Sequence, residues 1–420
     1  MTHRKRAYAV IAIIGLGAGA SFATQTELAQ VFSDHQQGRA PRHRPDPSIV
    51  NVPRTGANLG DPLSDLTTDE AADFNEGLEE FASEDTAESG LGPIFNNVSC
   101  VACHSTPAPG GVSTTFVTRF GRMVNGHFDP LAELGGSLLQ QSAIDPTARE
   151  VVPPEANIVV HRLTTPLFGA GLIEAIPDAE IMMYANVAKG DGVSGRPSIV
   201  QDIASGQTRV GRFGWKAQQA TLLTFAGDAY LNEMGITNRL FPLENAPNGN
   251  TALLAQYDLV ADPEDVVDPA TGKSDIDRFA DFMRMLAPPA QLAITGEARA
   301  GQNLFAQLGC ALCHRPMMDT GPNSSKALHR KSVALFSDLL LHDMGSLADG
   351  VAQGTAQPGE MRTAPLWGLR ARGPFLHDGR AATVDAAIRM HDGEAAKARD
   401  RYNQLKTNQA AQLLEYLGCI

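Results

Sequence analysis

Cys100-Val101-Ala102-Cys103-His104 and Cys310-Ala311-Leu312-Cys313-His314 are two copies of one pentapeptide pattern, and their reading decides the fold. Two thiols followed at once by a histidine is the spacing for covalent c-type haem attachment: the sulfurs take the porphyrin vinyl carbons and the imidazole reaches the iron. His104 and His314 are then the proximal ligands. Three other readings of a Cys-x-x-Cys pair fit less well. Zinc ribbons set their knuckles about 15–20 residues apart, whereas these are separated by most of the chain. A thioredoxin-like redox pair belongs in a βαβ context and leaves both histidines unexplained. Disulfides between such close cysteines would be strained and would staple almost nothing.

The chain around these motifs has 420 residues, enough for two or three domains. Aromatic residues are sparse at 6%, and a haem would supply the apolar bulk they otherwise provide. The N-terminus runs from Arg4-Lys5-Arg6 through an apolar stretch, Ala7 to Ala20, to Ser21-Phe22-Ala23, the pattern of a cleaved secretory signal. An uncleaved anchor is the alternative, although the stretch is short and Gly-rich for a membrane span. Export, to the periplasm or beyond, agrees with covalent haem attachment, and Cys419 is left over as a small residue of the last helix. Cleavage removes three cations and no acid, so the formal charge of −13 becomes −16. That surface repels nucleic acid and suits either plain solubility or docking of a basic electron donor.

Residues 24–59 are polar and Pro/Arg-rich and read as a flexible leader. The spacing predicts a helix after Leu66-Thr67-Thr68-Asp69-Glu70, with Phe74, Leu78 and Phe81 on one face, and another from Gly296 to Leu308 capped by Thr295. Each leads into a haem motif, and Gly77-Leu78-Glu79-Glu80-Phe81 echoes Gly301-Gln302-Asn303-Leu304-Phe305. Thr164-Thr165-Pro166-Leu167-Phe168-Gly169 likewise repeats as Thr363-Ala364-Pro365-Leu366-Trp367-Gly368, at nearly the same interval. The chain therefore reads as two versions of one unit. Further helices are expected over Lys216 to Glu233, Ile276 to Met283 and Arg399 to Leu417. The expected architecture is mainly α: a signal peptide (1–23), a leader (24–59), an N-terminal cytochrome c-like domain with inserted helices and loops (60–287) and a C-terminal cytochrome c-like domain (288–420), each domain with one covalent haem.

With these motifs, Arg362-Thr363-Ala364-Pro365-Leu366-Trp367-Gly368-Leu369, Gly373-Pro374-Phe375-Leu376-His377-Asp378-Gly379-Arg380-Ala381 and His391-Asp392-Gly393-Glu394-Ala395 resemble the bacterial di-haem oxidoreductase family, also called thiol oxidoreductases. That family is distantly related to di-haem cytochrome c peroxidases and to rubber oxygenase. The resemblance implies an oxidoreductase of peroxidase type, its C-terminal haem relaying electrons to an open N-terminal haem. Rival readings are a non-enzymatic di-haem electron carrier and an oxygenase acting with O2. The implied partners are a small redox carrier, cytochrome- or cupredoxin-like, as donor, and peroxide or O2 as oxidant. Calcium, which the peroxidase relatives hold between their domains, is a candidate third cofactor.

In related peroxidases the sixth ligand of the C-terminal haem lies a few residues into the helix after the His-Asp-Gly-Arg segment. Counting from Thr383 reaches His391; Met390 and His342 are the alternatives. Ungapped continuation from Pro166 reaches Gly192, which offers no ligand and implies an open N-terminal haem, although a gap would bring Met182, Met183 or Tyr184 there. Glu174, an acid in apolar company, is the candidate to move the peroxide proton. Cytochrome c peroxidases carry Phe-Trp-Asp-Gly-Arg between their haems, where this chain has Ile176-Pro177-Asp178-Ala179-Glu180. The electron route would then use Trp215 or Trp367, the two tryptophans of the chain. One or two of Arg212, Lys216, Arg362, Arg372 and Arg380 are expected to meet haem propionates.

Overall fold

The computed structural model describes residues 48–52, 58–185 and 187–420. The expected signal peptide and most of the leader lie outside the described residues. Among those described, no helix is long and apolar enough to cross a membrane.

Helix α1 (Thr68–Ala82) starts where the capping pattern places it: Thr67 Oγ1 accepts from Glu70 N at 3.2 Å and Glu70 Oε2 accepts from Thr67 N at 2.8 Å. Short helices α2 (Ala170–Glu174) and α3 (Asp178–Tyr184) follow, then α4 (Leu222–Met234), α5 (Thr251–Tyr257) and α6 (Asp275–Met285). Helix α7 (Gly296–Gln307), with Thr295 as N-cap, leads to the second motif, and α8 (Val384–Arg389), α9 (Ala396–Asn403) and α10 (Thr407–Cys419) close the chain. Two expected helices differ in extent. The one anticipated from Lys216 begins at Leu222, because Thr221 caps it and Ala217 is held at φ 51 in a turn. The last is split in two, with Leu405 between α9 and α10.

The repeat in wording has a structural meaning. α1 packs on α6, and α7 packs on α10. At each crossing the repeated glycine lets the backbones touch: a Cβ on Gly77 would stand 2.4 Å from Arg278 O, and one on Gly301 would stand 2.0 Å from Gln412 O. Any side chain at either point would force the helices apart. One turn on, Phe81 and Phe305 are buried beside the two motifs.

The expectation of a mainly α chain is corrected: the protein is mixed, with 32% helix. Strand β1 (Val50–Asn51) runs parallel to a strand at Lys331–Val333. Between α1 and α2, β2 (Ile94–Phe95), β3 (Phe116–Val124), β4 (His127–Asp129), β5 (Leu138–Leu139), β6 (Ser142–Ala143) and β7 (Ile158–Leu163) form antiparallel pairs. In the β3–β7 ladder Val117 faces Arg162, so period-2 alternation turns Val117 and Arg119 to the same side. Hairpin β8 (Ser198–Asp202) and β9 (Gln207–Gly211) delivers the chain to Trp215.

Buried apolar residues gather in two cores. One centres on α1, α4 and α6, with Phe74, Phe81, Leu222 and Phe282, and also takes in Leu335, Leu339, Leu340 and Trp367 from beyond Pro289. The other joins α7 to α10 through Phe305, Phe336, Leu413 and Leu417.

Candidate functional site

Each Cys-x-x-Cys-His segment opens onto a large cavity. The C-terminal one holds about 1460 Å³ of empty space, including open solvent, and is lined by Cys310, Cys313, His314, Phe305, Leu366 and Leu417 among others. The N-terminal one holds about 1220 Å³ on the same terms and is lined by Cys100, Cys103, His104, Phe81, Leu167 and Met283 among others. Both walls are largely apolar around their Cys-x-x-Cys-His segment, the kind of lining a porphyrin ring requires. None of the four motif cysteines is paired in a disulfide. Burial pushes the Cys100 thiol up, Cys103 to about 11 and Cys310 to about 12, which leaves little reactive thiolate and disfavours thiol–disulfide chemistry. Among the described residues, neither motif enters a cluster with metal-binding spacing of the zinc kind.

The histidines divide by their partners. His104 Nδ1 lies 3.1 Å from Gly111 O, His314 Nδ1 3.1 Å from Phe336 O and His391 Nδ1 2.8 Å from Ala387 O. A carbonyl only accepts, so in each ring Nδ1 carries the proton and Nε2 keeps its lone pair for the cavity, the outer-shell arrangement of metal-ligating histidines. Burial lowers the pKa of all three, His104 and His314 to about 4, holding them neutral. His314 and His391 line one cavity with ring centroids 6.3 Å apart. Together the two imidazoles would hold a haem iron in that cavity. His342 is committed elsewhere, with Nδ1 2.7 Å from Glu394 Oε2 and Nε2 3.1 Å from Asp338 Oδ2. Met390 is 40% exposed and does not line the cavity. His377 lines the C-terminal cavity, edge-on to Trp215 at 6.2 Å.

Among the described residues, the N-terminal cavity has no histidine besides His104 in its wall. Met182 is 50% exposed on α3, Tyr184 lies under Arg315 at 3.6 Å, and neither they nor Met183 line it. The count that reached Gly192 was misplaced, since its neighbours Asp191 and Val193 line the other cavity. Arg119, Arg162, Gln218, Asp228, Tyr230 and Glu233 do reach the N-terminal wall. Burial raises the pKa of Asp228 and Glu233. Sequence reading missed these acids. Their signal was α4 itself, which carries two acids and no Lys or Arg among apolar residues and so cannot be a solvated face.

Glu174 lies elsewhere. Its Oε2 accepts from Arg284 Nε at 2.7 Å and its Oε1 from Leu222 N at 2.7 Å, and it lines neither cavity. Of the tryptophans, Trp215 lines both cavities and donates from Nε1 to Leu163 O at 2.8 Å. Trp367 is 3% exposed and lines neither, packing against Gly169 instead.

The basic residues test whether haem fits. Arg212 is buried on the carbonyls of Val210, Ile173, Glu174 and Ile176 and on Asp178, and Lys216 is buried on Asp349 and Glu360 O. Arg380 pairs with Asp378. These three are spent within the protein. Arg362 and Arg372 line the C-terminal cavity, and burial lowers each to about 10. Arg372 Nε and, in the N-terminal cavity, Arg119 Nε are buried without a partner. An unpaired buried guanidinium N–H is costly, and a propionate carboxylate is the partner each lacks. The residues present fit the group. Calcium has no such support: among the described residues one acidic trio, Glu244, Asp262 and Glu264, stands close enough to share an ion, and all three precede Pro288.

Two apolar cavities, each headed by a Cys-x-x-Cys-His segment, define a protein shaped for two haems. The chain belongs to the family described as "Di-haem oxidoreductase, putative peroxidase", whose profile matches residues 154–420. No curated protein matches the sequence. Among solved structures it is similar to a MauG-like protein associated with microbial copper homeostasis (15% identity, TM-score 0.38, covering 90% of this chain and 94% of that one). It is also similar to the diheme peroxidase BthA from Burkholderia thailandensis (12%, 0.38, 87% and 88%). A third is hydrazine synthase from Kuenenia stuttgartiensis (16%, 0.34, 90% and 100%).

Proposed function

We propose that the protein is an exported peroxidase-type oxidoreductase with haems bonded at Cys100/Cys103 and at Cys310/Cys313, in which a closed C-terminal centre passes electrons to an open N-terminal one. The observation that carries this reading is the asymmetry of the walls: two imidazoles 6.3 Å apart in one cavity, one imidazole in the other. A second strong ligand favours electron transfer, and an open face admits a small oxidant.

When bound, the haems would supply electron storage and an iron face at which peroxide is reduced. The chain supplies the rest. His104 and His314 anchor the proximal sides, His391 closes the C-terminal centre, and Arg119 and Arg372 answer propionate charge. Reduction of a peroxide to two waters takes two electrons and two protons. Asp228 and Glu233, kept protonated more readily by burial, are the wall acids placed to hold and return those protons, the role sequence reading gave to Glu174. Trp215, in the wall of both cavities, is the route for electrons. A small redox carrier delivers them, and the acidic surface suits a basic one.

Mass spectrometry of the mature protein should show two added haem masses and the loss of the signal peptide. Ferric-state absorption and electron paramagnetic resonance should show one low-spin and one high-spin centre, and His391→Gly should convert the low-spin one. Two low-spin centres inert to peroxide would leave an electron carrier. Faster reaction with O2 than with peroxide in stopped-flow mixing would point to an oxygenase.

A further inference from the structure

Tyr230 has no task in the scheme above, yet its surroundings are unusual. It sits on α4, 3% exposed, with its ring in the wall of the N-terminal cavity and edge-on to Phe279 at 5.1 Å. Its hydroxyl is shared between two carboxylates, 3.2 Å from Asp275 Oδ2 and 3.4 Å from Asp85 Oδ2. Both contacts are long for O–H···O bonds, as one proton divided between two acceptors requires. Burial, with Glu80 and Asp265 close by, raises Asp275 to about 7. Asp85, Asp275 and Asp265 act on the phenol, with Glu80 beside Asp275, and these acids repel one another; the nearby cations Arg278 and Arg239 bond to Glu76, Asp277 and Ser274 rather than to any of the four. A phenylalanine at position 230 would pack as well without needing the acids, so the arrangement serves the hydroxyl.

We propose that Tyr230 is a proton-coupled redox station of the N-terminal site. With hydrogen peroxide as oxidant, the ring gives one electron to the peroxide-oxidised site, and the phenol proton crosses its existing hydrogen bond to Asp275. The phenol O–H bond breaks, a carboxyl O–H bond forms, the site gains one electron, and a neutral tyrosyl radical remains. One electron from an external donor, with return of the proton from Asp275, restores the phenol. The other tyrosine hydroxyls bonded to acids, Tyr184 to Glu180, Tyr257 to Asp145 and Tyr402 to Asp385, belong to rings that line neither cavity. Trp215 lines both, but its N–H donates to a peptide carbonyl, too weak a base to take the proton. Among the described residues, Tyr230 combines the cavity wall with a carboxylate acceptor.

The inference rests on the peroxide reading, and one experiment separates the two. The ferric holoprotein is mixed with hydrogen peroxide without donor, followed optically, and freeze-quenched for electron paramagnetic resonance. A narrow radical signal is expected whose hyperfine pattern collapses with deuterated tyrosine, and Tyr230→Phe, with unchanged resting haem spectra, should lack it. Asp275→Asn combined with Asp85→Asn keeps the phenol and removes both carboxylate acceptors of its proton, so radical formation should slow by roughly 100-fold. A signal that survives in Tyr230→Phe or vanishes in Trp215→Phe, an optical response with no radical, or an unchanged rate in the double variant would overturn this inference alone. No optical response to peroxide would overturn it together with the peroxidase reading.

Discussion

Asp349 is the residue whose loss should be felt most in stability. Its side chain is 1% exposed; Oδ2 accepts from Arg162 Nε at 2.7 Å and lies in ion-pair range of Nη2 at 2.6 Å, while Oδ1 pairs with Lys216 Nζ at 3.0 Å. Arg162 and Lys216 are themselves 4% and 0% exposed. Asp349→Ala would leave two buried cations without their shared anion. Arg162 would keep Gln353 Oε1, and Lys216 would keep the carbonyls of Glu360 and Pro358. Those neutral acceptors solvate part of the charge but cancel none of it, and breaking one buried ion pair costs about 3–5 kcal/mol. A loss of at least about 3 kcal/mol is therefore expected in urea-induced unfolding of the holoprotein followed by far-ultraviolet circular dichroism. Lys326→Ala, which removes an exposed partner of Asp65 (77% and 39% exposed), should cost less than about 1 kcal/mol. Equal losses from the two substitutions would refute the claim that the Arg162–Asp349–Lys216 cluster is a desolvated charge network.

Gly301→Ala places a Cβ 2.0 Å from Gln412 O and should cost about 1–3 kcal/mol or more by thermal unfolding, whereas Gly418→Ala on the same helix pair meets nothing within 4 Å and should be neutral or slightly stabilising. Burial disfavours the His342 imidazolium, but hydrogen bonds to Asp338, Cys313 and Glu394 outweigh it and carry its pKa from 6.5 to about 11. Its contribution is complete below pH 6.5 and is lost as pH rises toward 11, so His342→Gln should flatten the stability profile in that window. Trp215→Phe should slow electron passage between the two iron centres in stopped-flow reduction while leaving both resting spectra unchanged.

The parts of the site that rest on local chain chemistry were legible in the sequence. The attachment motifs, the capped helices that lead to them, and the glycine shared by Gly77 and Gly301 are written in short stretches whose meaning does not depend on distant partners. His391 came from counting along a resemblance; its ring lies 6.3 Å from that of His314. What could not be read depends on distant parts of the chain meeting. The strands of the β3–β7 ladder are nine and six residues long with β4, β5 and β6 intervening, but neither FVTRFGRMV nor IVVHRL alternates cleanly between apolar and polar residues, so neither announces a strand. Trp215 and Trp367 look alike in one dimension; the β8–β9 hairpin decides that the former enters both cavities. Glu174 shows the opposite error. An acid in apolar company was read as chemistry, while its carboxylate ties α2 to the start of α4 and to Arg284. Asp228 and Glu233 are separated from the first haem motif by more than a hundred residues, and only tertiary packing brings them to it.

Asp191, Val193 and Trp215 close one side of the C-terminal cavity although all three precede Pro288. A fragment starting at residue 288 would keep both cysteines, both imidazoles and the crossing of α7 with α10, yet one flank of its prosthetic group would be wet. Water there would raise the local dielectric and shift the midpoint potential away from that of the whole chain. The two repeats therefore cannot be swapped or trimmed as independent cassettes, because the stretch that is not repeated walls the C-terminal cavity and, through Trp215, the N-terminal one as well.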